Sequence, residues 1–145
     1  MTFTDNAGKN WSYLAAEENF LRLKEMQRKN LIVPVVGDFA GPKAVKAIGQ
    51  YVRDNGGVIN TFYMSNVEPY LFQAGNWKTF YDSVATMPLD ASSVFVRTFF
   101  QATARECTNP RPVGMTPFLN NMREFVRDYQ RGDIKTQCDL VTRSK

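Results

Sequence analysis

The stretch Leu31–Pro42 reads LIVPVVGDFAGP, an apolar run that ends abruptly in glycine, aspartate and proline. Valine and isoleucine dominate Leu31–Val36, which is typical of a strand buried on both faces. Pro34 cannot donate a hydrogen bond to a neighbouring strand, so we expect a bulge or an unpaired edge at that point. Pro42 favours the first turn of a helix. The stretch therefore predicts a strand, a loop and a helix, in that order.

The rest of the chain repeats this alternation. Residues 1–9 are predicted to form a flexible arm, and residues 10–30 a helix that leads into the first strand. Further strands are predicted over residues 58–64, 93–100 and 134–140. Helices are predicted over residues 42–54, 77–86 and 116–131, and a short helical turn over residues 67–72. Strands separated by helices of this length imply parallel crossovers. The pattern predicts one three-layer α/β domain over residues 1–145, or half of a larger one. We expect about four strands and four helices, a mainly parallel sheet and an antiparallel last strand.

Length and composition narrow the class of protein. A chain of 145 residues builds one ordinary domain. It contains no run near the roughly 18 apolar residues that a membrane span needs. The N-terminus lacks the basic patch and apolar core of a secretory signal, which predicts a cytoplasmic protein. The net charge is +4, but basic and acidic residues are interspersed, which favours a solvated surface over a nucleic-acid interface.

Residue types exclude several chemistries. The sequence has no histidine, so Ser-His-Asp catalysis, Cys-His catalysis and histidine zinc sites are excluded within this chain, and no metal is predicted. Cys107 and Cys138 are too few and too differently placed to form a disulfide framework, so free thiols are predicted. Arg97 lies on a predicted apolar strand. It either pairs with a buried acid or faces the sheet edge, and we favour the edge.

The best candidate site lies in two loops beyond the carboxyl ends of predicted parallel strands, where open sheets bind ligands. Free amides at a helix start could bind an anion or a ribose there. The candidate cleft-lining residues are Gly37, Asp38, Phe39, Gly41, Ser65, Asn66 and Glu68. The same residue types are also common in ordinary turns and helix caps. The spacing matches neither the dinucleotide fingerprint nor the P-loop. A hydrolase built on Asp38 and Glu68 would need both carboxylates in one cleft.

Several phrases carry a resemblance: VVGDFAGPKA, FYMSNVEPYLF and SSVFVRTFF. They resemble the C-terminal half of an uncharacterised bacterial family with a class I S-adenosylmethionine-dependent methyltransferase-like fold. The resemblance implies a Rossmann-like half-sheet, in which the strands correspond to the fourth and later strands of a complete sheet. It places the upstream half, with the cofactor's glycine-containing loop, outside this chain. It assigns no catalytic residue.

The resemblance implies a methyltransferase-like domain that needs a second copy or a partner half to form a cleft for S-adenosylmethionine or a nucleoside. The alternative is a non-catalytic protein-interaction module that has lost cofactor binding. Without its neighbouring strand, Leu31–Val36 would be an apolar sheet edge. We therefore expect a homodimer, or a complex with a separate N-terminal half, formed through that edge.

Overall fold

A computed structural model of the chain describes residues 4–99, 107 and 116–143. The chain divides into two compact units, Met1–Val36 and Gly37–Lys145. The first unit contains helix α1 (Glu17–Arg28). The second contains strands β1 (Thr61–Ser65), β2 (Val94–Phe99) and β3 (Thr116–Asn121), and helices α2 (Ala44–Asp54), α3 (Val67–Gln73), α4 (Trp77–Val84), α5 (Met122–Gln130) and α6 (Gln137–Thr142). No helix in the described residues has the length and apolarity needed to cross a membrane.

Helix α1 is shorter than the predicted span of residues 10–30. Acidic Glu17 and Glu18 lie in its first turn and Arg28 in its last, an order that complements the helix dipole. None of its residues is buried. Before the helix, Asp5 accepts hydrogen bonds from the Ala7 amide and from the Trp11 indole. This local turn occupies part of the segment predicted as a flexible arm.

The predicted strand Leu31–Val36 is not a strand. Every side chain in it is exposed, with Leu31 at 63%, Val33 at 54% and Val35 at 50%. The Leu31 amide bonds to the Met26 carbonyl at 2.9 Å, but residues 32–36 make no hydrogen bond to any part of the described chain. An apolar sequence favours a strand only when another strand takes its backbone hydrogen bonds. Here no strand does.

The predicted fold class is wrong. The sheet has three strands in the order β1-β2-β3, with β1 and β2 parallel and β2 and β3 antiparallel. It is therefore a small mixed sheet with one parallel pair, and not a mainly parallel four-stranded Rossmann-like half-sheet. Six helices accompany it in the described residues. The difference arises at Leu31–Val36, which does not join the sheet, and in the last third of the chain.

Two element assignments in that last third are also wrong. The predicted helix over residues 116–131 begins as strand β3, which pairs with β2 from Thr116 to Asn121. Pro117 is tolerated because β3 is an edge strand. The Asn121 side chain then accepts a hydrogen bond from the Glu124 amide and starts α5. The predicted strand over residues 134–140 is instead largely α6, which a capping box between Thr136 and Asp139 initiates.

The core of the second unit combines aliphatic and methionine side chains with a group of aromatic rings on one face of the sheet. Phe62 of β1 and Phe95 of β2 have ring centroids 5.8 Å apart. Helix α4 places Phe80 against Phe62, and helix α5 places Phe125 against Phe95 at 5.5 Å. The opposite face carries the cross-strand row Tyr63, Val96 and Leu119, in which Tyr63 and Leu119 are exposed. The covered face thus holds the fold together.

Candidate functional site

The loop Gly37–Gly41 forms a turn that is closed on itself. The Asp38 carboxylate accepts a hydrogen bond from the Ala40 amide at 2.9 Å, and the Gly41 amide donates to the Asp38 carbonyl at 3.1 Å. Gly37 packs so tightly that an added Cβ would lie 2.4 Å from the Ala44 Cβ. Two amides of this turn are therefore bonded within it rather than presented to a ligand.

The second predicted loop begins with a strained residue. Ser65, the last residue of β1, has φ of 50°, which is uncommon for a residue other than glycine. The pairing of β1 with β2 is irregular between Tyr63 and Ser65. Asn66 occupies the N-cap position of α3 without making a side-chain cap bond, and the Ser65 hydroxyl lies 3.4 Å from its side-chain oxygen. The loop turns the chain sharply from β1 into α3, where Glu68 follows.

Glu68 lies at the centre of a buried polar cluster. Its carboxylate Oε1 is 3.1 Å from Arg97 Nε on β2, and the two side chains are 2% and 0% exposed. The hydroxyl of buried Tyr81, on α4, donates a hydrogen bond to the same carboxylate. One acid therefore joins α3, the central strand and α4. The prediction that Arg97 faces a sheet edge is wrong.

The guanidinium of Arg97 is held by more than its acid. It lies against two aromatic rings, 4.2 Å from the Phe95 centroid and 4.1 Å from that of Phe125. Its Nη1 donates to Asn120 Oδ1 at 2.5 Å. Its Nε is near Glu68 but not aligned for a hydrogen bond, and its Nη2 has no acceptor in the described part of the chain. The cation is thus enclosed but incompletely hydrogen-bonded.

Burial controls the protonation of this cluster. It raises the pKa of Glu68, and the nearby Arg97 charge and the Tyr81 hydrogen bond offset that rise only in part. Burial and the neighbouring Glu68 carboxylate raise the pKa of Tyr81 well above its ordinary value, so the phenol keeps its proton and can donate it. All three side chains are buried, so in this conformation they connect secondary-structure elements instead of facing solvent.

The structure brings the two predicted loops to the same helix. Phe39 lies against Phe80 of α4, with ring centroids 6.1 Å apart, and Glu68 is bound by Tyr81, the next residue of that helix. The two carboxylates have separate partners: that of Asp38 accepts from the Ala40 amide, and that of Glu68 lies beside Arg97. Sequence reasoning missed Tyr81 as the partner of Glu68. The available sequence signal for a buried polar cluster was Arg97, a cation in a predicted apolar strand.

A separate surface hollow of about 480 Å³ lies near the start of α4 and the end of α5, and no predicted site residue lines it. Its lining includes two aromatic residues, Trp77 and Tyr129, and two lysines, Lys78 and Lys135. Trp77 stacks on Phe72 with centroids 4.7 Å apart. Among the described residues, no group of three or more acidic or cysteine side chains is placed to hold a metal ion.

The prediction of free thiols is wrong. Cys107 and Cys138 form a disulfide, with their Cα atoms 4.9 Å apart and their positions separated by 31 in the sequence. Cys138 is the second residue of α6, so the bond ties the C-terminal helix to an earlier part of the chain. The prediction failed because residue 138 was assigned to a strand, which separated the two cysteines.

Comparison with known proteins adds a family but no activity. No curated protein matches the chain. One family model, described as a domain of unknown function (DUF7790), matches residues 2–131. That description does not link the chain to methyltransferases, so the methyltransferase-like resemblance stays a prediction. Because the match covers nearly all of the sequence, the chain belongs to the DUF7790 family.

Proposed function

We propose that this protein is a protein-interaction module that forms a homodimer by strand exchange. Leu31–Val36 of each copy would pair with the open edge of β1 in the other copy. The observation that carries the proposal concerns two features of the described residues. Leu31–Val36 is exposed and apolar, and its residues 32–36 have no backbone hydrogen bond there, while strand β1 is paired on one side only. Each feature supplies what the other lacks, which is the condition for reciprocal exchange.

Pro34 indicates which side of the donated strand makes the contacts. In an extended strand, alternate amides point to opposite sides. The amides of Leu31, Val33 and Val35 share one side, whereas Ile32 and Val36 share the side on which Pro34 has no N–H. The Leu31 amide is already bonded to the Met26 carbonyl. The side of Val33 and Val35 still offers two successive donors, whereas Pro34 separates the two donors on the other side. We therefore assign the contact with β1 to the side of Val33 and Val35.

Light scattering after size exclusion tests the proposal, with protein from about 1 μM to several hundred μM. We expect a mass rising towards twice the 16.5 kDa of one chain. Val35→Pro removes a donor from the pairing side and should shift the equilibrium to monomer. Val36→Pro is the matched control, since it removes a donor from the other side. A monomer at the highest concentration, or equal effects of the two prolines, would overturn strand exchange.

A methyltransferase-like activity is the other candidate, and it rests on the resemblance alone. Calorimetric titration of the same preparation with S-adenosylmethionine and S-adenosylhomocysteine tests it. Binding heat in the dimer that Val35→Pro abolishes would support a cleft that two copies complete. Dimerisation without any heat of binding would support the interaction module and count against the cofactor.

The predicted cytoplasmic location belongs to this proposal as well. Disulfides persist mainly in oxidising compartments, and in the cytosol they are mostly transient or redox-sensing. The Cys107–Cys138 bond therefore makes the location testable by thiol chemistry. Rapid trapping with a maleimide in cells that express the protein natively should find a substantial reduced fraction. A fully oxidised population would count against a cytoplasmic location.

A further inference from the structure

The Cys107–Cys138 disulfide holds a helix that is too short to be stable alone. Helix α6 has six residues, well below the roughly 12–15 that an isolated helix needs in water. Leu140 and Val141 are buried and supply its packing. Cys138 and Cys107 are both only partly buried, so a reductant can approach the bond. The helix therefore depends on tertiary contacts and on an accessible covalent link.

The end of α6 is bonded directly to the buried cluster. The Asn120 side-chain amide donates to the Arg143 carbonyl at 2.6 Å, while its Oδ1 accepts from Arg97 at 2.5 Å. The Arg143 guanidinium also pairs with Asp128 of α5 at 2.6 Å. If α6 left its place, Asn120 would lose an acceptor. Asn120 is thus the link between the helix and Arg97.

Arg97 is the group that such a loss would affect most. Its Nη2 has no acceptor in the described chain, and its only hydrogen bond there is to Asn120. A buried donor without an acceptor carries a desolvation penalty that water relieves when it gains access. Opening α6 would provide that access. The closed cluster therefore depends on α6 staying docked.

We propose that the Cys107–Cys138 disulfide is a redox latch, whose reduction by a dithiol releases α6 and opens the Glu68–Arg97–Asn120 cluster to solvent. A thiolate of the dithiol attacks one sulfur and breaks the S–S bond, forming a mixed disulfide. The second thiol of the reductant then displaces the remaining cysteine. Two electrons and two protons pass to the protein as two cysteine thiols, and the reductant becomes a disulfide.

Hydrogen exchange of the full chain, with and without dithiothreitol, tests the latch. On reduction, backbone amides of α6 should exchange about tenfold faster or more, while those of α2 keep their rates. The side-chain amide of Asn120 should accelerate with α6, because its bond to Arg143 is lost. Alkylation and mass measurement confirm that the bond has been reduced.

Two variants distinguish a disulfide that controls α6 from one that stabilises the whole fold. Cys107→Ser should show the fast α6 exchange without reductant and no response to it. Leu140→Ala should speed α6 exchange in both redox states and keep the response. The proposal is overturned if α6 rates do not change, if all amides accelerate equally, or if dithiothreitol cannot reduce the bond in the folded chain. The reduced wild-type measurement stands even if a variant does not fold.

Discussion

Arg97 Nε on β2 lies 3.1 Å from the carboxylate of Glu68 on α3, and both side chains are buried. The pair connects the central strand, β2, to α3, the helix that follows β1. Removing one member would leave the other charge buried without a counter-ion, which is costlier than removing both. The cluster is therefore a sensitive point for the stability of the second unit.

Arg97→Leu should lower the free energy of unfolding by about 3–5 kcal/mol, because Glu68 is left buried and unpaired. Urea denaturation with circular dichroism measures the loss. The double variant Glu68→Leu with Arg97→Leu should recover part of it, since neither charge remains. This account would be contradicted if the double variant lost more unfolding free energy than the two single variants lose together.

Stability should also depend on pH through Glu68. Its folded pKa is raised above the ordinary value of 4.5, so the folded state holds the proton more tightly than the unfolded state. The stability that the folded state gains by binding this proton is present in full below pH 4.5. It is lost as the pH rises through the folded pKa of Glu68. Unfolding free energy should therefore fall with pH above 4.5 relative to Glu68→Gln. A relative rise would mean that pairing with Arg97 outweighs burial.

The closeness of Gly37 to Ala44 gives a third test. Gly37→Ala would place a methyl group 2.4 Å from the Ala44 Cβ, so the loop or the start of α2 must shift. We expect a loss of about 1–3 kcal/mol in thermal or urea unfolding. Adding Ala44→Gly removes the clash and should restore part of the loss, beyond its own cost in the helix. No difference between the single and double variants would contradict the close packing.

Two asparagines at helix starts form a matched pair. The Asn121 side chain accepts from the Glu124 amide at 3.0 Å and donates to the Ala91 carbonyl, whereas Asn76 makes no cap bond to α4. Asn121→Ala should cost about 1 kcal/mol or more of unfolding free energy. Asn76→Ala should cost less, because the Asn76 Oδ1 is buried and has no hydrogen-bond partner among the described residues. Equal losses of unfolding free energy in the two variants would contradict a stabilising role for the Asn121 cap bond.

Local signals predicted some elements well. Strand β2 was expected over residues 93–100 and is found at Val94–Phe99. Helix α2 ends at Asp54, before Gly56 with φ of 69°, as the Asn-Gly-Gly sequence predicted. The short helix after Asn66 is also present. In each case the residues that define the element are neighbours in sequence, so no distant contact is needed to select it.

The sequence by itself determined where apolar segments start and stop, because glycine, proline and asparagine act on the backbone next to them. Only the tertiary structure decided what those segments pair with. Leu31–Val36 has strand residues but pairs with no strand among the described residues, and Thr116–Asn121 becomes a strand because β2 takes its hydrogen bonds. Arg97 meets Glu68, and Cys107 meets Cys138, across about 30 residues of chain. Such pairings depend on the positions of whole elements, and local sequence patterns do not encode those positions.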